Sequence, residues 1–173
     1  MTDPIYDILV PQFTTLLISM KGYFNKAQEH ATAKKYDVNN LLTARLAPDQ
    51  YTLAKQVNVT CFLAEECISK LAGKANPSFD TQDKTISDLC ARIDKSINHL
   101  KQYNKQDFTG WEERPIDIFF AEGKYLPGFQ YMTRLGAPNF FFHQVTVYSI
   151  LRMNGVDVGK MDYIGPIQFS DKK

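Results

Sequence analysis

A histidine, an asparagine and a glutamine are the side chains of this sequence whose types and spacing favour a binding site. Asn139 and His143 stand one helical turn apart in the most apolar segment of the chain. Gln56 belongs to a second periodic segment, on a stripe that is otherwise mostly apolar. Because a polar side chain in an inward stripe needs a hydrogen-bond partner, these residues either tie the fold together or line a small cavity.

The same three side chains are a weak set of metal ligands. Zinc is usually held by three or four histidine, cysteine or carboxylate donors, and only His143 is one of these. We therefore predict no cofactor, with His143 the only plausible ligand if a divalent metal such as zinc or nickel binds. A buried histidine whose ring nitrogens have hydrogen-bond partners is the structural alternative.

The remaining histidines and the cysteines favour structural roles. His30 and His99 stand among charged residues, on faces that we predict to be solvated. Cys61, Cys67 and Cys90 form no CxxC pair and lie on or near apolar faces, which predicts unreactive core side chains. The sequence also contains none of the short motifs of phosphate loops, zinc proteases or serine hydrolases.

Length and composition exclude several classes of protein. The chain has 173 residues, typical of one domain, and we expect 1–173 to form a single unit. Its net charge of +1 provides no field to attract nucleic acid. The apolar stretch 8–20 contains Pro11 and is shorter than the ~20 residues of a membrane-spanning helix. With no export signal, we predict a cytoplasmic protein that binds neither nucleic acid nor a membrane.

Four helices and one hairpin are the elements that must position the candidate site. Apolar residues at steps of three and four predict the helices, whereas a change to period two predicts a short β-hairpin before the last helix. The fold class is therefore an all-α four-helix bundle. The predicted helices span 5–31, 50–72, 85–103 and 136–154, the hairpin lies within 114–131, and 156–173 is mostly irregular.

The last predicted helix is apolar nearly all round. Its aromatic and branched residues leave no broad polar face, so most of its sides need cover. Three helices and a hairpin cover only part of such a helix. A second copy of the chain is an economical way to bury the rest, and we predict a homodimer.

Several segments of the sequence resemble one known family over nearly the whole chain. They are Ala44–Asp49, Gln56, Pro138–His143, Ile150–Val156 and Gly159–Gly165. Together they are similar to an uncharacterised bacterial branch of the DinB-like, or YfiT-like, superfamily. The resemblance implies an up-down-down-up four-helix bundle with a long connection, often dimeric. In many relatives it also implies a divalent metal held by three histidines, and some relatives are transferases or isomerases that use a low-molecular-weight thiol.

Metal-binding relatives place one histidine on the second helix and an HxxxH pair on the fourth. The matching positions here are Gln56, Asn139 and His143, so the resemblance implies the same end of the bundle without the full metal site. Our leading hypothesis is a small-molecule pocket lined by these three residues. The alternatives are a divalent-metal-dependent, thiol-using transferase, and a structural or interaction protein with no ligand.

Overall fold

The structure is a computed structural model that describes residues 5–79 and 82–171. Four long helices form a bundle, and a small two-stranded sheet precedes the last of them. The elements are α1 (Ile5–Lys34), a 3-10 turn (Val38–Thr43), α2 (Leu53–Leu71), α3 (Ile86–Leu100), a second 3-10 turn (Lys105–Phe108), β1 (Pro115–Asp117), β2 (Tyr125–Pro127), α4 (Gly128–Tyr131), a π-helical segment (Met132–Gly136), α5 (Ala137–Met153) and α6 (Lys160–Ile164).

Contacts between the long helices give their directions. Helix α1 is antiparallel to α3 and parallel to α5, whereas α2 is parallel to α3 and antiparallel to α5. This is the up-down-down-up arrangement that the resemblance implies, and it confirms the predicted fold class. The contacts join Lys21 to Asp94, Asp7 to Lys105, Phe13 to Phe140, Tyr23 to Gln144, Glu65 to Ser96, Ser69 to Tyr103, Gln56 to His143 and Cys67 to Gly136.

Local capping fixes where α2 and α3 begin. Thr52 accepts a hydrogen bond from the Lys55 backbone N–H, so α2 starts at Leu53, slightly later than predicted. Thr85 and Asp88 form the reciprocal capping box that their spacing predicts. Helix α1 runs through Pro11, which lies within its second turn.

The last long helix, α5, begins at Ala137, close to the predicted start at 136, but helical structure that the sequence did not predict precedes it. The hairpin strands are only three residues long, and helical structure begins directly after β2 at Gly128. A Cβ atom at Gly128 would lie 1.8 Å from the backbone oxygen of Trp111, so this helix start depends on a long-range contact that only glycine permits. The predicted irregular tail also contains the short helix α6.

The core confirms the structural role predicted for two of the three cysteines. Cys61 and Cys67 are fully buried between helices, and Cys90 is half-buried. Burial raises the pKa of the Cys61 thiol to about 12 and also raises the pKa of Cys67, which makes both thiols poor nucleophiles. Within residues 5–79 and 82–171, none of the helices has the length and apolarity that crossing a bilayer requires.

Candidate functional site

A cavity of about 500 Å³ opens between α2, the segment from α4 to α5, and the tip of the hairpin. Its wall is mainly aromatic and aliphatic, with a few polar groups on α2 and α5. Cavities of this size and character are typical of small-molecule sites. The lining residues are Tyr51, Lys55, Val59, Phe62, Leu63, Glu66, Lys70, Phe79, Ile118, Phe119, Phe120, Tyr131, Leu135, Gly136, Asn139 and His143.

A buried hydrogen bond to Gln56, a residue that does not itself line the cavity, holds His143 in this wall. Its Nδ1 atom lies 2.6 Å from Oε1 of Gln56, whose side chain is 1% exposed. Because an amide oxygen only accepts hydrogen bonds, Nδ1 carries the proton and donates it to Gln56. In the neutral ring Nε2 is then an acceptor. No residue of the described part of the chain forms a hydrogen bond with Nε2.

The surroundings of His143 favour its neutral form. Burial lowers the pKa of the imidazole below its ordinary value of 6.5, because the cation loses more hydration than the neutral ring. Tyr51 stacks on the ring, with centroids 6.1 Å apart and planes 15° apart. His143 is therefore a neutral hydrogen-bond acceptor at physiological pH, suited to a hydroxyl or N–H group of a ligand.

Asn139 lies one turn before His143 and lines the same cavity. Its side chain is half-buried, and in residues 5–79 and 82–171 nothing forms a hydrogen bond with its amide. The structure thus brings two of the three predicted residues to one cavity wall. Gln56 does not line that wall, and it reaches the cavity only through His143.

The π-helical segment keeps four residues in line along the cavity. Tyr131, Leu135, Asn139 and His143 follow one another at steps of four. In a regular α-helix each such step rotates by about 40° around the axis, so the first and last would face different directions. The wider turn over 132–136 offsets this rotation, as π-bulges at functional sites often do.

Gly136 allows the same segment to approach α2 closely. A Cβ atom there would lie 2.7 Å from Sγ of Cys67 and 3.1 Å from the Tyr131 ring. No side chain larger than hydrogen fits without movement of the neighbours. The position of Asn139 and His143 against α2 therefore depends on this glycine.

Three charged side chains also line the cavity. Glu66 and Lys70 form an ion pair of 2.9 Å along α2, and both side chains are largely buried. Lys55 lies at the start of α2, with its Nζ atom 4.3 Å from the centroid of Phe79 and 5.8 Å from that of Tyr51. Aromatic faces attract an ammonium group and hold this cation beside the cavity.

The metal implied by the superfamily does not fit the residues present. The three matching positions supply one imidazole and two amides, and the Nδ1 atom of that imidazole already bonds Gln56. Amide oxygens are weak neutral ligands for zinc or nickel. No group of three histidine, cysteine or acidic side chains able to hold a metal occurs within residues 5–79 and 82–171.

His99 differs from the prediction of a solvated face. Its Nε2 atom lies 3.1 Å from the hydroxyl of Tyr103 and 3.4 Å from that of Ser69, in a network between α2 and α3. His30 is half-buried and contacts the ring of Tyr36. Charged neighbours along the sequence did not indicate the contact with Ser69, because that residue is 30 positions away in the chain, whereas Tyr103 and Tyr36 are near neighbours whose contacts were overlooked.

Sequence reasoning missed Tyr51, Lys55 and the hairpin aromatics as cavity residues. Phe119 and Phe120 belong to the alternating pattern that predicted the hairpin, and neither Tyr51 nor Lys55 was singled out. The signal that could have found the hairpin aromatics is the pair of adjacent aromatic residues in a short predicted hairpin, because successive strand residues face opposite sides and a two-stranded sheet leaves one of them uncovered. Phe119 is 89% exposed, which leaves its ring available to the cavity mouth.

The fold and the site at one end of the bundle define a DinB-like protein. A crystal structure of a DinB family member protein from Shewanella denitrificans matches this chain with a TM-score of 0.93 and 35% sequence identity, covering 97% of this chain and 96% of that one. The model of a domain of unknown function, DUF1993, matches residues 5–164, and the chain belongs to this family. These matches confirm the resemblance. None of the curated proteins compared with the chain matches it.

Proposed function

We propose that this protein binds a small organic molecule in the cavity between α2, α5 and the hairpin. The observation that carries the proposal is the Nε2 atom of His143, an acceptor on an apolar wall whose orientation is held by Gln56 from behind. A buried site that hydrogen-bonds a ligand discriminates strongly against analogues that leave the group unpaired.

Each of the three residues has a distinct role in this proposal. His143 accepts a hydrogen bond from a hydroxyl or N–H group of the ligand, or exchanges a proton with it. Asn139 orients a polar group one helical turn away. Gln56 is a positioning residue that fixes the tautomer and the ring plane of His143. The surrounding aromatic side chains exclude water from the ligand.

The test compares two ligands that differ by one hydrogen-bond donor. We expect 2-naphthol to bind more tightly than 2-methoxynaphthalene in isothermal titration, because only the hydroxyl donates to Nε2. His143→Phe should remove the preference while keeping the apolar wall. His30→Phe, on α1 and outside the cavity, is the matched control and should keep it.

Two results would overturn the proposal. Equal binding of the two naphthalenes by the wild-type protein would show that Nε2 is not a ligand contact. Absence of binding by either probe, with a well-folded protein, would favour the structural or interaction protein. For the metal-dependent transferase, stoichiometric metal that is lost in His143→Ala would be the decisive observation.

We also propose that two copies of the chain associate through α5 in the cytoplasm. Phe142, Val145 and Met153 form an apolar stripe that the bundle leaves uncovered, with side chains 42–56% exposed. Three free cysteines suit a reducing compartment. Sedimentation should give a dimer for the wild type and a monomer for Val145→Glu, whereas Phe169→Glu in the tail should stay dimeric. A monomeric wild type would contradict this proposal.

A further inference from the structure

Lys55 carries a positive charge beside the cavity that no acidic side chain of the described residues neutralises by an ion pair. It is half-buried, and aromatic rings from two different segments hold its ammonium group. The cation–π contacts stabilise the group at this position but leave its hydrogen-bond donors available. An ammonium group held in this way is suited to receive an anion.

The other charges of the cavity cancel. Glu66 and Lys70 form an ion pair with each other, with only about an eighth of either side chain exposed. His143 is neutral, because burial lowers the pKa of its ring. The lining residues therefore have a net charge of +1, and the charge lies on Lys55.

Lys55 and His143 both lie close to one aromatic ring. The Tyr51 centroid is 5.8 Å from Nζ of Lys55 and 6.1 Å from the centroid of His143. Because both residues also line the same cavity of about 500 Å³, a ligand with a fused bicyclic ring and a substituent at each end has the size to contact both groups. The same cavity is lined by the aromatic side chains of Phe62 and Phe79 and by the hairpin residues 118–120, of which 119 and 120 are aromatic.

We propose that the ligand is an amphipathic monoanion, with a carboxylate at Lys55, an apolar ring body against the aromatic wall and a hydrogen-bond donor at His143. This inference rests on the proposed function and adds the ligand's chemical class to it. A cation binds a carboxylate more strongly in a partly dehydrated site than it does in bulk water. A dianion would find only one positive charge for its two negative charges, and a cation would be repelled by Lys55.

The experiment adds one carboxylate to the neutral probe. We expect 6-hydroxy-2-naphthoate to bind the wild-type protein about fivefold or more tightly than 2-naphthol, and 6-(aminomethyl)-2-naphthol to bind more weakly. Lys55→Met should remove the preference for the anion, and Lys55→Arg should keep most of it. Raising the salt concentration should reduce the preference, because a half-buried charge is partly screened.

Lys34→Met is the matched control for net charge. Lys34 is an exposed lysine in the last turn of α1, outside the cavity, so its loss changes the total charge as Lys55→Met does. The anion preference should survive it. Thermal unfolding of all variants in the absence of ligand checks that each one is folded.

The outcomes separate this inference from the proposed function. If 2-naphthol binds in a His143-dependent way but the added carboxylate does not increase the affinity, the proposed function is supported and the proposal of an anionic ligand is wrong. Equal loss of preference in Lys34→Met and Lys55→Met would also overturn it, because the effect would come from the net charge alone. If no probe binds to the folded protein, both proposals fail.

Discussion

Two histidines of this bundle contact side chains of the same helix, and they face different surroundings. His143 is held by Gln56 near the start of α2, and its ring lines an apolar cavity. His99 meets Ser69 near the end of α2, beside a shallow groove lined mostly by polar and charged side chains. One nitrogen of His99 contacts two hydroxyl groups, whereas Nε2 of His143 has no hydrogen-bond partner among residues 5–79 and 82–171.

The comparison distinguishes a hydrogen-bond network within the protein from the proposed ligand site. In both regions a hydrogen bond to α2 orients the ring, so a partner alone does not distinguish them. Water competes for every polar group in the groove beside His99. In the cavity, by contrast, the aromatic wall lowers the local dielectric constant and strengthens each hydrogen bond that a ligand makes.

The largest expected effect on stability comes from disrupting the close packing of Gly136 against α2, which forms one side of the cavity. Gly136→Ala should lower the free energy of unfolding by about 3 kcal/mol, because its Cβ would lie 2.7 Å from Sγ of Cys67. Cys67→Ala in the same chain should recover part of that loss by removing the sulfur. Denaturant unfolding measures both values.

The control for this substitution is another helical glycine. Gly22, on the exposed face of α1, has no atom within 4 Å of an added Cβ. Gly22→Ala should stabilise the protein by about 0.5–1 kcal/mol, as alanine does within helices. If Gly136→Ala did not lower the stability while Gly22→Ala raised it, the packing described for the π-helical segment would be contradicted.

A smaller effect should follow from removing the α2 partner of each histidine. Gln56→Leu leaves the Nδ1 proton of His143 without its acceptor and should cost about 2 kcal/mol of unfolding free energy. Ser69→Ala should cost about 1 kcal/mol, since His99 and Tyr103 keep the 3.1 Å contact with each other. Both values come from denaturant unfolding.

Ligand binding sharpens the contrast between these two variants. Gln56→Leu should weaken 2-naphthol binding, whereas Ser69→Ala should leave it unchanged. Combining Gln56→Leu with His143→Phe should cost less stability than the sum of the single changes, because no buried donor is left unpaired. Equal effects of both single variants on binding would show that the two histidine regions are not functionally different.

The smallest expected effect is on the pH dependence of stability. Above the ordinary histidine pKa of 6.5 both states hold a neutral ring, and the folded state keeps its full stability. As the pH falls below 6.5 toward the lower folded-state pKa, the unfolded chain binds a proton first, and the free energy of unfolding decreases.

A non-titrating side chain tests that pH dependence. His143→Gln should lose this component, so its stability should fall less than that of the wild type between pH 7 and pH 5. NMR titration should place the pKa of the His143 ring below 6.5. A value at or above 6.5 would mean that burial does not control this histidine.

Most of the fold could be predicted from the sequence because its signals are local. Apolar periodicity predicted the four long helices, and Thr85 with Asp88 marked the start of α3. The helical structure before α5 was missed because its start at Gly128 depends on packing against Trp111, which is distant along the chain. Periodicity contains no information about such a contact.

The candidate site could be predicted only in part. Asn139 and His143 were recognisable from their polar character in an apolar helix, and Gln56 from its place on an apolar stripe. That Gln56 lies behind the ring, and that Lys55 and Tyr51 complete the wall, depends on how α2 packs against α5.

The sequence by itself determined the helices, the apolar faces and the family to which the chain belongs, because these follow from residue order and spacing. The tertiary structure decided which histidine faces an apolar cavity and which nitrogen remains an acceptor. The physical reason is that burial and hydrogen bonding are pairwise properties of residues far apart in the chain. Helix packing brings those residues together, and no local pattern encodes the result.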